Sequence, residues 1–250
     1  MPKKSGLGQE LYIHGYDLSG DVGSLDSVGS PREQLEVTAI NKSARERIYG
    51  LADGSLSFNT FFNDATEQEH AALSGLPTAD RIICYNMGGT RGDASYCLTA
   101  KQVNYDGTRG TDGSLAFTVG AVANGIAPDW GQTLTSGKET HSVAGVSASR
   151  DDAATTGYGL VAVLSVVSVD SGTPTVKIQQ SSDDGVSDAF AEIVSFAAVA
   201  AASAPTAQRL TISGAVLRYL RVTTTGTFSN CAFVVTTRRG TAQDDVNLNA

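Results

Sequence analysis

The residues of this 250-residue chain with the most reactive side chains are three histidines, His14, His70 and His141, and three cysteines, Cys84, Cys97 and Cys231. Imidazole and thiolate hold zinc when they recur at short spacings that bring four donors together. Here the histidines fall in a predicted strand, a predicted helix and a predicted connection, so a shared metal site would need a coincidence of folding. The cysteines lie far apart and cannot all pair within one chain, which argues against a disulfide framework and for reduced thiols in the core. The sequence has no phosphate-cradling G-x-x-x-x-G-K-[ST], no strand-linked G-x-G-x-x-G, no H-E-x-x-H and no C-x-x-C. A Ser-His-Asp triad assembles from distant positions and one sequence does not settle it, but no serine sits in a G-x-S-x-G elbow. Neither catalysis nor a cofactor or metal is expected.

Smaller motifs have plain readings as turns. Arg91-Gly92-Asp93 lies within Met87-Gly-Gly-Thr-Arg-Gly-Asp, a glycine-rich turn. Asp183-Asp184-Gly185 with Asp188 lacks the alternating ligands and terminal glutamate of a calcium loop, and reads as a hairpin turn. Trp130 is the only tryptophan, and Tyr158 and Tyr219 lie in or beside apolar runs, which leaves little for sugar stacking.

Glycine contributes 27 residues, the punctuation that many short strands need. No apolar stretch reaches the ~18–20 residues that span a bilayer, so a soluble protein is expected. Lys3 and Lys4 are not followed by an apolar segment, and nothing marks the chain for secretion. The net charge is −8, with 12 basic and 17 acidic groups in residues 1–150 (−5) and 6 and 9 in the rest (−3). Such a surface repels phosphate, which disfavours nucleic-acid binding and would suit a wall that DNA slides past.

Period-two alternation places Leu35, Val37 and Ala39 on one packed face, Leu56, Phe58 and Phe62 on another, and Leu115, Phe117, Val119 and Ala121 on a third. It recurs at Val176 and Ile178, at Leu210 and Ile212, and at Cys231, Phe233 and Val235. The one convincing helix runs from Thr66 to about Leu76, opened by a Thr66–Glu69 capping box and stopped by Pro77. The fold class is therefore mainly β: a sandwich or barrel with one short helix, followed by a smaller C-terminal β-sandwich. Gly137–Gly157 is polar and aperiodic and reads as a connection. The expected units are residues 1–155 and 156–250, the second with a flexible C-terminal tail. Ala197–Ala204 is open between loose strand, helical turn and loop.

The segment Leu35–Asn63 carries the most specific pattern. A strand leads into a mixed-charge stretch holding Asn41, Lys42, Arg45, Glu46, Arg47 and Tyr49, after which Asp53-Gly54 turns into the next strand. Such an excursion is either a solvated loop or an organ that reaches a neighbouring subunit, and charge alone does not choose.

Leu11–Gly20 (LYIHGYDLSG), Ser43–Ile48 (SARERI), Asp53–Phe58 (DGSLSF) and the helix around Glu67–Leu76 resemble the major tail tube proteins of long-tailed, siphovirus-type phages, especially those of actinobacteriophages. The resemblance covers about residues 10–135. It implies a structural virion protein that self-assembles into homohexameric rings stacked as a tail tube, the conduit for DNA during ejection, with Asn41–Gly50 contacting the adjacent ring. Tape measure and tail terminator proteins are the partners it implies, the phage tail the location, and the host bacterial cytoplasm the place of synthesis. DNA would pass without sequence-specific binding, along a bore of acidic and polar residues. Residues 176–185 (VKIQQSSDDG) and 218–228 (RYLRVTTTGTF) are similar to accessory sandwiches carried outside some tail tubes and to other virion proteins. The alternative is thus a capsid decoration or minor tail protein, or an adhesin with a glycan-binding sandwich.

Overall fold

The computed structural model describes residues 5–241, so the expected C-terminal tail and the reading of Lys3 and Lys4 lie outside the described residues. The first half runs through β1 (Glu10–Ile13), β2 (Tyr16–Asp17), β3 (Val22–Gly29), β4 (Arg32–Glu36), β5 (Arg47–Ala52), β6 (Ser55–Phe61), α1 (Glu69–Leu73), β7 (Arg81–Asn86), β8 (Ala94–Arg109) and β9 (Leu115–Ala123). Four short strands follow, β10 (Asp129–Thr133), β11 (Glu139–His141), β12 (Gly145–Val146) and β13 (Arg150–Asp151). The last six are β14 (Leu160–Gly172), β15 (Thr175–Ser181), β16 (Ala191–Ser195), β17 (Thr206–Ile212), β18 (Tyr219–Thr225) and β19 (Phe228–Arg239), with a 3-10 turn at Ala201–Ser203 inside the ambiguous alanine-rich stretch.

β8 is 16 residues long and belongs to two layers. Its first part lies between β7 and β10; its last part pairs with β9, which continues through β6 to β3. The partner changes at Ala100, and a register shift follows between Gln102 and Asn104, where an extra residue bends the strand. Leu11, Ile13, Leu56, Phe58, Ile83, Tyr96, Leu98 and Val119 fill the space between the layers, with Ala72 and Leu73 of α1 closing it. Each such side chain contributes on the order of 1.5–3 kcal/mol by leaving water.

The second core lies between β17-β14-β19 and the five-stranded sheet of β12, β13, β18, β15 and β16. Leu160, Ala162, Leu164 and Val166 of β14 face Val176, Ile178, Leu220 and Val222 there. The intervening Val161 and Val163 meet Cys84, Cys97 and Ile82, so β14 is apolar on both faces. The fold is mainly β, sandwich-like, with one short helix, as the alternation implied.

The helix is shorter than expected. The Thr66 box does not form: Gln68 precedes α1 with no side-chain cap, and Glu67 has φ +62°. A helix start leaves backbone N–H groups without intrahelical partners. Here Asp21, distant in sequence, accepts from the Glu69 N–H at 3.2 Å, while the buried Glu69 carboxylate accepts from the Asn63 N–H.

The cysteine expectation is also corrected. Cys84 and Cys97 stand directly opposite each other on β7 and β8, with Cα atoms 4.2 Å apart, and form a disulfide. Thirteen residues of separation hid a cross-strand pair that only register reveals. Cys231 is free and buried, as anticipated, and burial pushes its thiol pKa up to about 11.

Residues 129–151 are not a plain connection. β10 hydrogen-bonds to both β8 and β19, β11 to β19, and β12 and β13 to β18. A division at residue 155 has to accommodate these bonds. The buried Arg150 adds to them, bound to Asp152 at 2.6 Å and to the Thr133 carbonyl and Thr237 hydroxyl.

Candidate assembly surfaces

β4 and β5 form a two-stranded sheet of their own, a ribbon that leaves the body after β3 and re-enters at β6. Its root is held firmly. The Tyr96 hydroxyl donates to the Gly29 carbonyl at 2.5 Å and the Asp53 N–H to the Pro31 carbonyl at 2.8 Å. Gly54 allows this close exit, since a Cβ there would fall 1.9 Å from Pro128 Cγ.

All six residues singled out for a contact loop lie on this arm, and all are exposed. Asn41 and Lys42 are at its tip, where the Lys42 N–H closes a turn onto the Ala39 carbonyl. Lys42 reaches Glu46 at 3.4 Å and Arg45 reaches Glu36 at 3.7 Å. Exposed pairs of this kind are worth about 0–1 kcal/mol and do not hold a ribbon together. Arg47 stands opposite Glu36, and Tyr49 opposite Gln34.

What the charge pattern missed is that the arm is apolar. Leu35 and Val37 were expected to face a core, but they are 41% and 44% exposed; Ile48 is 51%, Tyr49 73%, Leu51 86%, and Ile40 is fully exposed. The alternation was real, and Leu35 does stand opposite Ile48. Among the described residues no second layer lies over the ribbon, and an isolated two-stranded hairpin is marginal in water. The cluster of apolar residues at Leu35, Val37, Ile40, Ile48 and Leu51 was the available signal.

A second surface is the outward face of β3, β6, β9 and the end of β8. Thr118 donates to Asn59 at 2.7 Å, Asn59 to Asp26 at 2.8 Å, Ser27 meets Ser57 at 2.8 Å, and Asn104 donates to Asp106 at 2.7 Å. The result is a hydrogen-bonded polar ladder across the strands, carrying carboxylates. Lys101, midway along β8, is bound to Asp80 at 2.8 Å.

Sites for chemistry do not assemble from the residues that could have made them. His14, His70 and His141 stay apart: His70 meets Tyr105 at 2.9 Å, and His141 meets Thr224 at 2.7 Å. His14 is half-buried, which lowers its pKa from 6.5, and Arg81 nearby adds to this. Among the described residues, no group of His, Cys, Asp or Glu could hold a metal ion. A serine, a histidine and a carboxylate do meet at Ser147, His141 and Glu139, but in the wrong order. Ser147 donates to Glu139 and lies 3.3 Å from the Nε2 of His141, while the Nδ1 of His141 goes to Thr224 rather than to the carboxylate, so no carboxylate orients the imidazole as a triad requires.

The turn readings hold in the structure. Asp183 accepts from the N–H groups of Val186, Ser187 and Asp188, which lowers its pKa despite opposing burial. Gly92 has φ +88°, and Arg91 is tied to Glu139 at 2.8 Å.

No protein-family model and no curated protein matches the chain. Among solved structures it is similar to a chain from the virion of a native gene transfer agent particle, with TM-score 0.44, 14% identity, and coverage of 51% of this chain and 98% of that one. It is also similar to a chain from the tail of an empty particle of that kind, computed with C6 symmetry (TM-score 0.38, 16% identity, 48% and 94% covered). A third is the SPP1 Dit protein, described as a paradigm of hub adsorption apparatus in Gram-positive infecting phages (TM-score 0.33, 10% identity, 92% and 98% covered). At such TM-scores these likenesses carry no argument about function.

Proposed function

We propose that this chain is a non-enzymatic structural subunit of a phage tail, which joins copies of itself into hexameric rings that stack as a tube around passing DNA. The observation that carries the reading is the β4–β5 arm, whose apolar side chains have no cover among the described residues although its root is rigidly fixed. A monomer gains nothing from Ile40, Ile48, Tyr49 and Leu51 in water, whereas a second copy that covers them does. The resemblance of Leu11–Gly20, Ser43–Ile48 and Asp53–Phe58 to tail tube proteins supports the same conclusion. So does the ladder from Thr118 through Asn59 to Asp26, which offers a DNA backbone hydroxyls, amides and like charge, and so suits the bore.

In this proposal residues 1–155 build the tube, with Asn41–Gly50 touching the next ring, and residues 156–250 form an accessory sandwich. Tape measure and tail terminator proteins are its expected partners, the virion its location, and the host cytoplasm its place of synthesis. Electron microscopy of the purified protein tests it: rings or tubes are expected, and spikes or dispersed monomers at high concentration would overturn it.

A further inference from the structure

We infer that the arm of one copy lies over an aromatic patch at the opposite end of the β3-β6-β9 layer of a second copy, so that subunits join head to tail. The inference rests on the proposed self-assembly and names its contact surface. The arm is rooted where Gly29 faces Ser55 and Ser55 faces Val122. The other end of the same strands is marked by Val22 facing Thr60 and Phe61 facing Ala116. Six residue steps separate the two ends, about 20 Å at the rise of a β-strand.

That far end carries a second uncovered apolar surface. Phe61 is 57% exposed, Phe62 38% and Leu115 37%. The Phe61 ring lies over Gly23, where a Cβ would come within 2.9 Å of it. Phe62 contacts the rings of Phe117 and His70, and Phe117 stacks on Tyr105 at 4.2 Å. The patch is therefore built on a packed aromatic base. Sequence alternation assigned Phe62 to the core beside Leu56 and Phe58; in the structure Thr60 takes the next inward place and the strand ends at Phe61.

Charge is complementary between the two ends. From Arg32 to Ala52 the arm carries Arg32, Lys42, Arg45 and Arg47 against Glu33, Glu36 and Glu46, which is 4 − 3 = +1, with Asp53 standing at its root. Around the patch, Asp64, Glu67 and Asp112 stand against Arg109, which is 1 − 3 = −2, all four exposed. Two different surfaces at opposite ends of one subunit make a heterologous contact, which leaves a free surface on each copy and so builds rings or open stacks instead of the closed pair that a two-fold dimer makes. A second copy is the occupant that this complementarity favours.

The test places the photo-crosslinking residue p-benzoylphenylalanine at position 49, in place of the exposed Tyr49. Isotopically labelled and unlabelled chains are mixed and assembled, irradiated and digested, and the joined peptides are mapped. Cross-links from position 49 to residues 60–67 or 109–117 of the other isotopic copy are expected, and Phe61→Ser should lower their yield about tenfold or more. Phe61 is half exposed, so the folded state can be checked independently in that variant. Cross-links to any other surface, or only within one chain, would overturn the contact while rings or tubes on the same grids left the proposed function standing. Absence of any assembly would overturn both.

Discussion

In the β15–β18 pair, Val176, Ile178, Leu220 and Val222 lie against β14 and β19 and are buried; in the β4–β5 arm, Leu35, Val37 and Ile48 project into water. Both are antiparallel pairs with apolar residues in alternate positions. The difference is whether a second layer exists in the same chain. Alternation specifies a strand with one apolar face, but it does not say which molecule covers that face. One pair stabilises the subunit, and in the proposed assembly the other is left for a neighbour.

Substitution separates the two most sharply. Ile178→Ala should cost the subunit roughly 2–5 kcal/mol in chemical denaturation, because it opens a cavity between packed sheets. Ile48→Ala should change the same measurement by less than about 0.5 kcal/mol, as exposed positions do. Equal losses would mean that the arm is packed within its own chain.

Next in size is the staple between β7 and β8. Replacing both Cys84 and Cys97 with alanine should lower stability by about 2–4 kcal/mol, the usual range for removing a cross-link, and leave ring formation intact. Failure to assemble would join the two regions the comparison keeps apart.

Cutting the chain after residue 155 removes β18 and β19 from β10, β11, β12 and β13. Hydrogen exchange is expected to rise across residues 129–151 while residues 55–61 and 115–123 stay protected by their mutual pairing. Uniform loss of protection would show that the two halves share one cooperative core.

Reversing Arg45 and Arg47 to glutamate should shorten tubes on negative-stain grids with no measurable change in subunit stability, since the Arg45–Glu36 contact is exposed. Unchanged tube length would remove charge from the stacking account.

The smallest effect concerns pH. Partial burial, with Arg81 nearby, lowers the His14 pKa from the ordinary 6.5, so below that value the unfolded chain binds the proton more readily. Its contribution to stability is thus present above about pH 6.5 and is lost as pH falls through the window beneath it. A His14→Gln variant should show a flatter decline of melting temperature between pH 7 and 5.

Much of this was legible in the sequence. Leu56, Phe58, Val119, Ile178 and Phe233 announce their strands and their burial by alternation, and the Asp183 turn by its carboxylates and glycine. The arm's position was readable from the charge run at Lys42–Arg47. The capping of α1 by Asp21 and the Cys84–Cys97 pairing were hidden because both depend on register between distant segments. The exposure of Leu35 and Val37 was hidden for a different reason: an apolar face without a covering layer has the same sequence signature as one packed in the core.

Deleting the arm is the most direct test of the claim that it joins subunits. Replacing Pro31–Asp53 with an Asn-Gly turn suits the hairpin, because Gly29 and Ser55 already face each other. Sedimentation velocity then compares the shortened and full-length proteins. The full-length chain should sediment as large assemblies, and the shortened chain as folded monomers with an unchanged unfolding midpoint. Assemblies of the same size from the armless chain would contradict the account.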